Sequence, residues 1–236
     1  QSSVFRTLID ATKEIVVDAN IVFDPRGILV KTIDESCNAM IHMRLNGDKF
    51  EEYICTGTFV CGVSLLHLYK LLKTMSTTDV LMMYQRKGTN DLGIRIEHNK
   101  RAKTNLFKLH LLDLNKREFE PFAPEFDQAI RINSSEFHKI IREMKDISPQ
   151  IDIRCHDTTL SFKSVNGSFA DAEMFLAIAP NEGSRSSKLV QGIFCLRYLS
   201  MFTKCTPLSR DVNIYLKNDY PLILQYQVSD LGMIQL

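Results

Sequence analysis

The sequence predicts an α+β protein in which one plan of helices and antiparallel strands is used twice. Two features of the pattern carry this reading. Short segments with helical apolar spacing are interleaved with strand-like runs bounded by Gly, Pro, Asn and Asp. The order of those segments then begins again in the second half, about 132 residues on. With 236 residues, 44% of them hydrophobic, the chain has material for two cores.

The first helix is predicted over Phe5–Val17, where Phe5, Leu8, Ile9, Thr12, Ile15 and Val16 form an i, i+3, i+4, i+7 stripe and Ser2 or Ser3 can cap the start. Strands follow over 19–24 and 28–33 around the turn Asp24–Gly27, then over Ala39–Leu45 before the polar Asn46, Gly47 and Asp48. Tyr53–Val63 reads as a further strand. A second helix is predicted over Ser64–Met75, with Ser64 as cap and Leu65, Leu68, Leu71 and Leu72 as its apolar face. Asp79–Arg86, Leu92–Glu97 and Leu106–Leu114 complete the first half as strands.

At 115–126 the periodicity stops. Pro121 and Pro124 exclude a regular helix and an interior strand, yet Phe119, Phe122 and Phe126 are present, so this stretch reads as a connector between domains at 1–114 and 127–236. Beyond it Phe137–Ile147 aligns with Phe5–Ile15 at an offset of 132, and Ile153–Phe162 aligns with Ile21–Val30 at the same offset. Leu199–Lys204 matches Leu68–Lys73 at 131, and Asp211–Val212 matches Asp79–Val80 at 132. Four matches within one residue of a common offset indicate an internal duplication. The second copy closes on a helix beginning near Phe194, a break at Thr206–Pro207 and three strands. Val212, Ile214 and Leu216 alternate in the first of these, Asn218–Asp219 turns the chain, and Leu222–Val228 and Asp230–Leu236 follow.

Lys plus Arg (29) nearly balance Asp plus Glu (28), so any basic surface must come from segregation of charge. The six cysteines, Cys37, Cys55, Cys61, Cys155, Cys195 and Cys205, form no CxxC pair and are read as reduced core residues of a reducing compartment. No apolar run approaches the roughly 20 residues needed to span a bilayer, the N-terminus does not resemble a signal peptide, and no membrane partner is expected. The chain has no phosphate-cradling G-x-x-x-x-G-K-[ST] or G-x-G-x-x-G loop and no G-x-S-x-G elbow. His42, His67, His98, His110, His138 and His156 are scattered, and the acids lie in turns or beside Lys and Arg on helices. No catalytic, metal or cofactor-binding residues are therefore assigned, and the protein is not expected to be an enzyme.

The four predicted helices share one feature off their apolar stripes. Each carries basic residues at same-face spacings: Arg6 and Lys13, Lys70 and Lys73, then Lys139, Arg142 and Lys145, and last Arg197 and Lys204. On one helix this is an ordinary solvated face. Repeated on equivalent helices of a duplicated fold, it concentrates positive charge in a near-neutral protein, as binding to a phosphate backbone requires. Asp10, Glu14, Glu143 and Asp146 on the same helices oppose that reading. No helix clusters the Arg, Asn and Gln of base-edge readers, so any contact with nucleic acid should be independent of sequence.

These residues carry a family resemblance over essentially the whole chain. Leu196–Lys204 (LRYLSMFTK) and Thr206–Ser209 (TPLS) are similar to the LRYLxxFTKATPLS signature of the proliferating cell nuclear antigen family of DNA sliding clamps. Asp230–Gly232 resembles the family's DMG turn and Pro221–Leu222 the start of its PL strand. Leu112–Leu114 resembles the strand before its linker, and Ser135–Phe137 the start of its SGEF helix. The resemblance implies the DNA-clamp fold, two duplicated domains each with two helices packed on antiparallel sheets, with subunits closing into a ring, commonly of three.

Within that ring Lys108, on a nearby strand, joins the helix cations around a central channel. Subunits would meet through Asn105–Leu114 and Asp171–Ala179, with Phe107, Leu109 and Leu111 on one side of the seam and Phe175 and Ala177 on the other. Matched residue by residue, the family's pocket for partner peptides of the Q-x-x-hydrophobic-x-x-aromatic-aromatic type falls on Ile33, Asn38, Met40, Phe119, Pro121, Phe122, Pro221 and Ile234. Asn38 stands where the family usually has an apolar residue. The resemblance further implies DNA polymerase, other enzymes bearing short aromatic peptides and a clamp loader as partners. It places the protein in the nucleus, or at a cytoplasmic replication site if the protein is viral. Two alternatives remain open: a monomeric or dimeric processivity factor or checkpoint-type heterotrimer subunit, and a DNA-processing enzyme without a recognisable site.

Overall fold

The computed structural model describes residues 2–86, 88–100, 102–115, 125–178 and 189–236. The chain divides into two compact units. Unit 1 comprises Gln1–Glu120 with Asp230–Met233, and unit 2 comprises Pro121–Ser229 with Ile234–Leu236. Among the described residues, no helix is long and apolar enough to cross a membrane.

In unit 1, α1 spans Ser2–Thr12. All six residues of the predicted stripe are buried, but the helix stops before Ile15 and Val16, which pack from the turn that follows. The β-branched run Ile15, Val16, Val17 disfavours another helical turn and leads into β1 instead. Ser2 is used differently from a cap, because its hydroxyl accepts the Leu81 amide at 3.2 Å and ties α1 to β5 (Val80–Gln85).

Strands β1 (Asp18–Asp24), β2 (Gly27–Ile33), β3 (Met40–Asn46) and β4 (Phe59–Ser64) pair antiparallel in the order β4-β1-β2-β3. The β1–β2 turn is fixed by the Asp24 carboxylate, which accepts the amides of Arg26 and Gly27 at 2.7 and 3.1 Å. Gly27 has φ +141°, and a Cβ there would lie 2.0 Å from the Leu45 carbonyl oxygen. The strand expected from Tyr53 begins only at Phe59. Tyr53 serves the turn instead, its hydroxyl lying 2.7 Å from the carbonyl oxygens of both Asp24 and Gly27. Helix α2 (Leu65–Leu72) buries Leu65, Leu68 and Leu72, and Ser64 precedes it without a side-chain cap bond. It ends sooner than the expected Met75. Strands β5, β6 (Asp91–His98) and β7 (Lys103–His110) form a separate antiparallel sheet with Leu92, Ile94 and Ile96 on its buried face.

In unit 2, β8 (Gln128–Asn133) leads into α3 (Ser134–Ile147), capped by the Asn133 carboxamide oxygen, which accepts the amides of Ser135 and Glu136 at 3.0 and 3.2 Å. Strands β9 (Gln150–His156), β10 (Thr159–Val165), β11 (Glu173–Ala177) and β12 (Val190–Cys195) pair in the order β11-β10-β9-β12. Helix α4 (Leu196–Phe202) continues as a 3-10 turn over Thr203–Leu208, so Lys204 stands on that turn. Strands β13 (Asp211–Leu216) and β14 (Ile223–Val228) pair, β13 being flanked on its other side by β8; β15 covers Gly232–Gln235. Phe137 packs on Phe162 with ring centroids 6.3 Å apart, and Phe202 on Tyr226 at 5.4 Å.

The repeat is visible element by element. β1 and β2 lie 132 residues before β9 and β10, and β4 and β5 lie 131 before β12 and β13. The one-residue slip falls in the connection between β10 and β11, since Lys31 pairs with His42 but Lys163 pairs with Glu173. Of the cysteines, Cys61, Cys155 and Cys205 are buried. Cys37 and Cys195 are exposed and Cys55 half-buried, which corrects the expectation of six core residues: these three lie on turns or strand ends rather than inward-facing positions. Burial pushes the Cys61 thiol up to about 11 and raises Cys155 and Cys205 as well, so the core thiols stay protonated.

Candidate nucleic-acid interface

The two helix pairs do not present their cations equally. In unit 1, Lys70 and Lys73 on the α2 side are exposed, whereas Arg6 donates to the Met75 carbonyl. Lys13 is more enclosed still. Its side chain is 10% exposed, its ammonium lies 2.7 Å from Asp10 and 3.1 Å from Glu14, and it stands 4.5 Å from the centre of the Tyr69 ring. Burial alone would lower its pKa, but the hydrogen bonds to Asp10 and Glu14 outweigh that and leave it raised. As placed, Lys13 and Arg6 join α1 to its surroundings rather than reaching outward.

In unit 2, Lys139, Arg142, Lys145 and Arg197 are all exposed, and Lys204 is half-buried. Lys139 lies 3.9 Å from Glu143, a loose i, i+4 pair, and Lys145 donates to the Ser200 hydroxyl at 3.1 Å. Lys145 and Ser200 occupy the places held by Lys13 and Tyr69 in the first copy, at offsets of 132 and 131. Likewise Lys139 and Arg142 stand where α1 has Thr7 and Asp10. Lys108, grouped with the helix cations by resemblance, faces solvent from the middle strand positions of β7, opposite Gly93 of β6.

Where Asn105–Leu114 and Asp171–Ala179 were expected, the strands run over Lys103–His110 (β7) and Glu173–Ala177 (β11), Ala179 lying outside the described residues, and both are sheet edges among the described residues. β7 ends the order β5-β6-β7, and β11 ends β11-β10-β9-β12. Phe107, Leu109 and Leu111 are half-buried, with Phe107 opposite Ile94 and Leu109 opposite Leu92. The exposed apolar residue of that edge is Leu106, at 67%, which the sequence reading passed over because it falls out of phase with its neighbours. Phe175 is 69% exposed and Ala177 is exposed beside it. Lys103 and Lys108 are exposed on β7, and Asp171 and Glu173 on or next to β11, so the two edges differ in charge.

Of the residues matched to a partner pocket, Ile33 is half-buried at the end of β2, and Asn38 and Met40 are exposed around the start of β3. The intervening turn is held by the Asp34 carboxylate, which accepts the amides of Asn38 and Ala39 at 2.7 Å each. Pro221 is exposed, but Ile234 is fully buried in unit 2: β15 turns this side chain into the core, so it can back a surface but not line one. Phe119, Pro121 and Phe122 lie outside the described residues.

Among the described residues, no three His, Cys, Asp or Glu side chains come together as a metal site. One histidine acquires partners that spacing alone could not reveal. His98 Nδ1 lies 2.7 Å from Asp79, and its Nε2 lies 3.0 Å from the Asn105 carboxamide nitrogen. Asp79 also accepts the Ser76 amide and hydroxyl at 2.9 and 2.7 Å. Those two bonds, the amide first, outweigh burial and with His98 hold its carboxyl at about 2.

Two copies of a helix pair on antiparallel sheets, with exposed cations on the second helix of unit 1 and on both helices of unit 2, define a duplicated α+β protein. The family follows from comparison. Residues 1–119 match the model of the proliferating cell nuclear antigen N-terminal domain and residues 123–236 that of its C-terminal domain. The chain belongs to the proliferating cell nuclear antigen family. It is also similar to a protein of Paramecium bursaria Chlorella virus 1 described as probable DNA polymerase sliding clamp 1, with 30% identity over 249 aligned positions that cover 100% of this chain and 92% of the relative.

Proposed function

We propose that this protein is a sliding clamp: it encircles duplex DNA as a closed ring and tethers DNA polymerase and other replication enzymes as a processivity factor, itself catalysing nothing. The observation that carries this is the doubled helix pair with outward cations, on a chain whose two halves both belong to the clamp family. β7 and β11, which end their sheets among the described residues, support a head-to-tail homotrimer, because pairing them removes two aggregation-prone edges and sets Lys103 and Lys108 against Asp171 and Glu173. Exposed Lys70, Lys73, Lys139, Arg142, Lys145 and Arg197 would meet phosphates largely through water, giving weak, salt-sensitive contact.

Retention then comes from topology. A clamp loader would open and close the ring, and partners would dock short aromatic peptides at the connector and the Ile33–Met40 end of unit 1. The site of action is where DNA is replicated, in a nucleus or at a viral replication site. Load the protein on closed circular DNA, wash in high salt, then linearise: the ring should survive the wash and be lost on cutting. Release by salt alone, or retention on the linear product, rejects encirclement. Mass in solution separates the homotrimer from a monomeric or dimeric factor.

A further inference from the structure

We infer that Gly62 is the positioning residue of the connector. Gly62 sits in β4 opposite Asn20 of β1, and the chain leaving β7 comes back across it. The Leu112 amide donates to the Gly62 carbonyl at 2.8 Å, making an isolated antiparallel bridge. A Cβ on residue 62 would lie 2.2 Å from the Leu112 carbonyl oxygen and 3.1 Å from Leu114 Cγ, so only glycine admits the crossing. Just past the crossing, Leu114 and Asn115 form one side of an open groove of about 310 Å³, whose other side includes Ile33, Asn20 and Lys31. The seat at Gly62 therefore fixes both where the connector starts and how wide this groove stands beside Ile33.

The duplication supplies an internal control. Ile193 of β12 lies opposite Asp152 of β9 in the same register as Gly62 opposite Asn20. Ile193 is 57% exposed, and a branched side chain is accommodated there with no crossing segment among the described residues. Glycine is thus not a requirement of the strand. It is a requirement of the crossing.

This inference rests on the proposed docking of partner peptides near Ile33, and its test separates the two. Make Gly62→Ala, Gly62→Val and Ile193→Ala in the full chain, and measure amide exchange at Leu112 together with affinity for a synthetic Q-x-x-hydrophobic-x-x-aromatic-aromatic peptide. Both Gly62 variants should exchange Leu112 at least about tenfold faster and bind the peptide about tenfold more weakly, with assembly mass and protection of β1 and β2 unchanged. Ile193→Ala should alter neither quantity. Wild-type protection of Leu112 in Gly62→Val, or fast exchange with wild-type peptide affinity, overturns the inference. If the wild-type protein itself does not bind the peptide, the docking reading falls, and Leu112 exchange in Gly62→Val alone upholds or overturns the seat.

Discussion

Replacing Lys139 and Arg142 together by Gln, and Lys13 alone by Gln, should separate cations that meet DNA from cations that hold the fold. Lys139 is 68% exposed and its nearest carboxylate is 3.9 Å away, a pair worth at most about 0.5 kcal/mol. Arg142 is exposed one turn further on. Each is free to displace counterions from a phosphate, so the double change should reduce the slope of log K against log salt by about 1.8, at about 0.9 per contact. Lys13 is in the opposite situation, with two carboxylates within 3.1 Å and an aromatic ring 4.5 Å away. Its loss should leave the slope alone. Unit 1 should instead lose about 1 kcal/mol, from a cation–π contact of about 0.5–1 kcal/mol and a helical ion pair of about 0.3–0.5 kcal/mol. Fluorescence anisotropy of a labelled duplex across a salt series reads the slope, and urea unfolding reads the stability. The reasoning fails if Lys13→Gln flattens the slope as much as the double variant, or if the double variant leaves it at the wild-type value.

Two further outcomes follow from the edge and from the acid network. The Leu111 amide donates inward to Asn90, so strand alternation turns the Leu106 amide toward the open edge; Leu106→Pro should then yield monomers by light scattering while the β6–β7 ladder and its unfolding transition persist. The Asp79 carboxyl is held at about 2, below its ordinary 3.8, so its stabilising contribution is complete above the unfolded value and is lost as pH falls from about 4 toward 2. Asp79→Asn should be less stable at neutral pH and show a flatter loss across that acid window in unfolding measurements.

Much of the fold was legible because its signals are local. The stripe from Phe5 to Val16 is buried at every position, and β1 and β2 begin and end within a residue of where alternation placed them. What escaped was long-range use of single side chains. Tyr53 looks like a strand residue, and only the fold brings its hydroxyl to the β1–β2 turn. Ile234 matched a surface position by resemblance, but whether a strand residue faces core or solvent depends on what packs against it. Lys13 was partly readable. Asp10 lies three residues before it, on the same helix face and close enough to capture its ammonium, while its contacts with Glu14 and Tyr69 required the turn after α1 and the packing of α2. Asp79 and His98 are 19 residues apart, and no periodicity connects them.

The mismatch between Asp10 in α1 and Arg142 at the same place in α3 bears on how a duplex would travel through a closed clamp. A perfectly repeated chain would offer DNA an evenly corrugated electrostatic wall. Here one half contributes a carboxylate and a sequestered lysine where the other contributes a guanidinium and an exposed ammonium. In the trimer proposed above, strong and weak stretches of the DNA-facing surface would follow one another, and a helical row of phosphates rotating past them would experience a rougher potential than an even wall provides. Diffusion along DNA slows as such roughness grows. In the proposed ring, drift between the two copies would set friction: Asp10→Arg should smooth the circumference, and Arg142→Asp should remove the strong arcs.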